Sequence, residues 1–280
     1  MSRFPSRRAA LAVPVSLAAV AGKGGVGKTT TVLSIAACLA ELGLDVLAVD
    51  ADPQANLTTG LAAEPEADDP TIVDVLVGDA SVPEAVRTSS VPGVWVLPSA
   101  SDLVAVERRF RTSIDRELRL RDALRRDGAL ARFDAVLFDT PPSFALPTLN
   151  VLAAARDILV PLQMSGFALK GLRETLRVME HARRDLNPAL RLLGIVPTFV
   201  SMRTTLSREL LAAVEEIPGL HVFPARIPLT VRLQETAVLG QPITRLAPRS
   251  AAAAAYRAIT LEVLDTIGAG RPDPALARSG

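Results

Sequence analysis

The chain has 280 residues, 49% of them hydrophobic, enough to bury a large core, and a single α/β domain is an ordinary outcome at this length. Its 31 basic and 30 acidic residues leave a net charge of +1, which excludes a globally basic nucleic-acid binder but not a local basic patch. The single cysteine, Cys38, cannot form an internal disulfide and points to a reducing cytosol.

Residues 1–13 read as a loose basic extension. With the apolar, small-residue stretch up to Ala21 they imitate a secretory signal peptide, but cleavage near Ala21 would destroy the element that follows. Residues 14–267 read as one domain in which strands and helices alternate: a mainly parallel, twisted sheet with helices on both faces. A buried strand over Val15–Ala21 leads into the glycine-rich run Gly22-Lys23-Gly24-Gly25-Val26-Gly27-Lys28-Thr29-Thr30, and a helix follows from Thr31, ending at Gly43. Further strands are predicted at Asp45–Asp50, Val94–Leu97, Ala135–Asp139, Ile158–Pro161 and Leu192–Val196. Helices are predicted around 103–127, 169–186, 204–217 and 249–267. Within the first of these, Phe110, Ile114 and Leu118 recur every four residues, so its many arginines read as the solvated side of an amphipathic helix. Residues 62–70 read as an acidic surface loop and 268–280 as a disordered tail. No apolar run approaches the roughly 20 residues that cross a bilayer.

The glycine run matches G-x-x-x-x-G-K-[ST], the phosphate-binding loop, and stands where that loop must stand, between a strand and a helix. Glycines let successive backbone N–H groups turn toward a polyphosphate. Lys28 suits the β- and γ-phosphates and the Thr29 hydroxyl suits Mg²⁺. Lys23 is surplus to that task and points elsewhere. The chain has only three lysines against 28 arginines, and two of the three lie in this loop, where a compact ammonium fits better than a planar guanidinium. Asp50-Ala51-Asp52-Pro53-Gln54 ends the second strand, at the sheet edge that faces the loop. Asp52 suits the orientation of an attacking water, whereas Asp50 reads equally well as a functional carboxylate or a turn cap. The apolar strand ending at Asp139 has the Walker B form, a second Mg²⁺ ligand. Thr140-Pro141-Pro142-Ser143 beyond it suits a segment that transmits γ-phosphate occupancy outward.

Together the loop with its extra Lys23, Asp50-Ala51-Asp52-Pro53-Gln54 and Asp139-Thr140-Pro141-Pro142-Ser143 resemble the ParA/Soj partition ATPases with a deviant Walker A motif. The likeness continues through Pro98–Leu103, Thr148–Leu152, Val160–Gln163, Phe167–Leu172, Arg203–Ser207 and Val231–Glu235. It implies an ATP- and Mg²⁺-dependent homodimer in which Lys23 reaches the partner's nucleotide, Asp52 supports hydrolysis, and Pro228 joins the loop in binding ATP. It also implies non-specific DNA binding through Arg203 and Arg232, stimulation by a ParB-type partner, and a cytoplasmic, nucleoid-associated protein. The chain departs from the family pattern after Ile227-Pro228, where an arginine often follows shortly but Leu229-Thr230 stand here, and at Met164-Ser165-Gly166. Two alternatives use the same site: an orphan relative positioning another cytoplasmic cargo, and a MinD-like membrane-associated ATPase. The second needs an amphipathic C-terminal helix that Arg271-Pro272-Asp273-Pro274 opposes.

Overall fold

The computed structural model describes residues 14–110 and 112–268. The expected basic extension lies outside these residues, as does the expected tail, except that Gly268 closes the last helix. Seven strands form one sheet: β1 (Val15–Ala19), β2 (Val46–Asp50), β3 (Arg87–Thr88), β4 (Val94–Leu97), β5 (Ala135–Asp139), β6 (Asp157–Gln163) and β7 (Arg191–Thr198). Their order is β3-β4-β2-β5-β1-β6-β7, and all pairs are parallel except the short edge pair β3–β4. The two-residue edge strand leaves few unpaired backbone groups for another chain to join.

After β1 comes α1 (Lys28–Glu41); after β2 come α2 (Asn56–Gly60), α3 (Ile72–Val77) and α4 (Val82–Ala85). After β4 stand α5 (Leu103–Arg109), a 3₁₀ turn at Arg116–Leu118, α6 (Arg119–Arg126) and α7 (Ala129–Arg132). Next come α8 (Leu146–Ala154) after β5, and α9 (Ala168–Asp185) between β6 and β7. Following β7 are α10 (Thr205–Glu215), α11 (Val231–Leu239), α12 (Ile243–Leu246) and α13 (Ala251–Gly268). Side chains alternate across each strand, so the sheet divides the core in two. Val15, Leu17 and Ala19 pack with α1, α11 and α13 on one face, while Ala18 and Val20 pack with α6, α8, α9 and α10 on the other. Aromatic residues are few, and Val, Leu, Ile and Ala fill both layers. None of the described helices is long and apolar enough to cross a membrane.

Two expectations are corrected. The predicted helix over 103–127 is interrupted between Arg109 and Arg116. Phe110 turns into the core under the Arg119 guanidinium, 3.8 Å from its ring centroid, and Asp115 takes a left-handed φ of 61° that no α-helix continues. Phe110 is 7% exposed but Ile114 86%, so the four-residue spacing does not mark one buried face. The first helix starts at Lys28, not Thr31, so the end of the phosphate loop is its first turn.

Candidate functional site

The C-terminal edges of β1, β2, β5 and β7 converge on a cavity of ≈ 360 Å³, the size of a small-molecule site. The loop over its floor depends on glycine at specific points. Gly25 and Gly27 have φ of 72° and 93°, and a Cβ on Gly22 would stand 2.5 Å from the Phe144 ring. The Thr198 hydroxyl, at the end of β7, donates to the Val26 carbonyl at 2.8 Å and fixes the loop from below. Gly24, Gly25, Gly27, Lys28, Thr29 and Thr30 line the cavity.

Lys28 is 6% exposed, and its Nζ donates to the Lys23 carbonyl at 3.1 Å, arching over the loop. Burial lowers the affinity of this amine for its proton, while Asp139 and Asp52 oppose that shift. The Thr29 hydroxyl donates to Asp139 Oδ2 at 2.6 Å, so the two expected Mg²⁺ ligands meet although 110 residues separate them. Asp139 is fully buried, and its carboxyl is pushed well above the usual range by desolvation and then by Asp50, its register partner on β2. A divalent cation held by Thr29 and Asp139 would reverse that balance and keep the carboxylate ionised, so the donor set fits Mg²⁺.

Asp52 also lines the cavity, 6% exposed. Its Oδ1 accepts from the Gln54 N–H at 3.0 Å, so it caps its own turn while leaving the second oxygen for the site. Asp50 is different. It does not line the cavity but accepts from the Thr58 N–H and hydroxyl, both at 2.8 Å, and from the Asp52 N–H at 3.1 Å. Burial raises its carboxyl to about 6 despite these bonds. Thr58 Oγ1 in turn accepts from the Ser99 N–H at 3.1 Å. Asp50 is therefore the post to which the Asp52 turn, α2 and the segment after β4 are tied. Replacing Thr58 by valine should cost about 1–3 kcal/mol in denaturant unfolding, because it strips a donor from a buried carboxylate. Thr58→Ser should restore most of the loss.

Lys23 leaves the cavity altogether. It is exposed, and its Nζ donates to Ser165 Oγ at 3.2 Å in the turn between β6 and α9. Arg203 is exposed in the turn before α10, and Arg232 is exposed in the first turn of α11, paired with Glu235 at 2.8 Å. Pro228 bridges to Val200 and does not line the cavity. The neighbouring Phe199 does, from a left-handed φ of 52° with its ring against Gly27, together with Thr236 of α11 and Asn56 of α2. Sequence reasoning missed these three. Asn56, two residues beyond Gln54, was the one with a legible signal.

A strand, a glycine loop closed on a helix, and a Thr29–Asp139 pair at its end define a P-loop nucleoside triphosphatase. A family model described as an AAA domain matches residues 16–192. The chain is 39% identical over 252 residues to the chromosome partitioning protein ParA of Caulobacter vibrioides, covering 90% of this chain and 94% of that protein. It is 41% identical over 242 residues to the chromosome-partitioning ATPase Soj of Thermus thermophilus, covering 86% and 92%. It also resembles a solved structure described as cobyrinic acid a,c-diamide synthase from Mycobacterium smegmatis with bound ADP and magnesium. There the TM-score is 0.80 and the identity 37%, over 94% of this chain and 98% of that one. The chain belongs to the ParA/Soj family of chromosome-partitioning ATPases.

Proposed function

We propose that this ATPase dimerises when it holds ATP, binds DNA without regard to sequence in that state, and returns to monomers when a ParB-type partner stimulates hydrolysis. The observation that carries the reading is the division of labour between the loop lysines. Lys28 is buried at the cavity floor, whereas Lys23 stands exposed outside it on a single hydroxyl partner, free to serve a second copy's nucleotide. Lys28 would neutralise the β- and γ-phosphates, and Thr29 with Asp139 would hold Mg²⁺. That ion, when bound, draws charge from the phosphate oxygens. Asp52 would orient the attacking water. Action in the cytoplasm on the nucleoid belongs to the same proposal.

Mobility shifts on two unrelated duplexes, with ATP, ADP or no nucleotide, test the proposal. Binding should need ATP, be equal on both duplexes and weaken steeply with salt. Arg203→Ala and Arg232→Ala should each weaken it. Equal binding in all nucleotide states, or preference for one duplex, would overturn the reading.

A further inference from the structure

The third lysine of the chain, Lys170, opens a surface that the site above does not use. Helix α9 buries Leu172, Thr175, Met179 and Ala182 against the sheet. At 3.6 residues per turn, Lys170, Arg173, Arg177, His181 and Arg184 fall within a sector of about 80° on the opposite side, and all five are exposed. Glu174 and Asp185 flank this sector on one side and Glu180 on the other, so the crest itself carries no acid. The stripe is about 21 Å long.

What separates it from an ordinary solvated face is that its unpaired cations are contiguous. On the other arginine-rich stretch, Arg116, Arg121 and Arg126 each meet the neighbouring acid within 3.0 Å, at Glu117, Asp122 and Asp127, and the exposed Arg108 and Arg125 stand on separate helices, α5 and α6. On α9, Glu180 is taken by Arg183 and Asp185 by Arg184, while Lys170, Arg173 and Arg177 have no ion-pair partner among the described residues. Three unpaired cations at spacings of three and four residues, in a chain of net charge +1, concentrate positive potential on one ridge.

The ridge also continues a surface already described. Helices α9 and α10 follow the adjacent parallel strands β6 and β7, pack against each other on the same face of the sheet, and so begin at the same sheet edge. Arg203 precedes α10 and the exposed Arg208 stands in its first turn, so both lie toward the same end of these neighbouring helices as Lys170. We infer that the crest of α9 is a second phosphate track, along which a DNA duplex lies after engaging Arg203. This rests on the DNA-binding reading above and adds a contact line to it. Each neutralised phosphate releases a counterion, so the ridge must appear in the salt dependence of binding.

The experiment is DNA affinity by fluorescence anisotropy against salt concentration, in ATP and Mg²⁺. It compares the wild-type chain, Lys170→Ala/Arg173→Ala/Arg177→Ala, and Glu174→Gln/Glu180→Gln. The triple variant should bind about tenfold more weakly or worse, with a log–log salt slope shallower by about three for each ridge of the dimer that the duplex touches. The glutamine variant should bind more tightly than wild type. A wild-type chain with no ATP-dependent DNA binding would remove the reading on which the inference rests. A wild type that binds, with a triple variant of unchanged affinity and slope, would overturn the α9 track alone and leave Arg203 and Arg232 as the DNA contacts.

Discussion

Lys28→Ala is expected to abolish nucleotide binding in practice, with ATP affinity falling roughly a thousandfold. Two unit charges 4 Å apart interact by about 4 kcal/mol at the effective dielectric of a partly buried site, and each 1.4 kcal/mol is a factor of ten. The Nζ also anchors the loop through the Lys23 carbonyl, so its loss loosens the backbone that lines the cavity. Calorimetric titration with ATP and Mg²⁺ checks this. Tight binding by the variant would mean that the glycine loop alone holds the nucleotide.

Asp52→Ala should instead spare nucleotide affinity within a few fold and lower steady-state hydrolysis roughly 100-fold or more, the usual range for losing a group that positions or deprotonates a nucleophile. Because Asp52 Oδ1 also caps the Gln54 N–H, alanine removes a turn bond together with the charge. Asp52→Asn separates the two. Its carbonyl still accepts the Gln54 bond, but it carries no negative charge. If Asp52→Asn hydrolyses ATP at the wild-type rate, the residue acts only as a turn cap.

The parts of the site legible in the sequence are those set by local chemistry. The strand, the loop and α1 are contiguous; Gly27 takes a left-handed φ of 93°, and a Cβ on Gly22 would meet the Phe144 ring. Asp139 was readable as the polar end of an apolar strand. Asp50 was not resolvable, because its role depends on Thr58 and Ser99, which reach it through tertiary packing. Helix α2 has five residues, too few to show a 3.6-residue period, and Thr236 of α11 enters the cavity only because α11 packs against α2 and α1. The broken helix between Arg109 and Arg116 shows the opposite failure: a clean four-residue repeat overridden by the burial of one aromatic ring.

The exposed Lys23, parked on Ser165 outside its own cavity, should matter only when a second copy arrives. Sedimentation velocity in ATP and Mg²⁺ compares Asp52→Ala, which should hold ATP without consuming it, with the same variant carrying Lys23→Ala. The first should be a dimer and the second a monomer with ATP still bound. A dimer in both, or a monomer in both, would overturn the role of Lys23 across the interface.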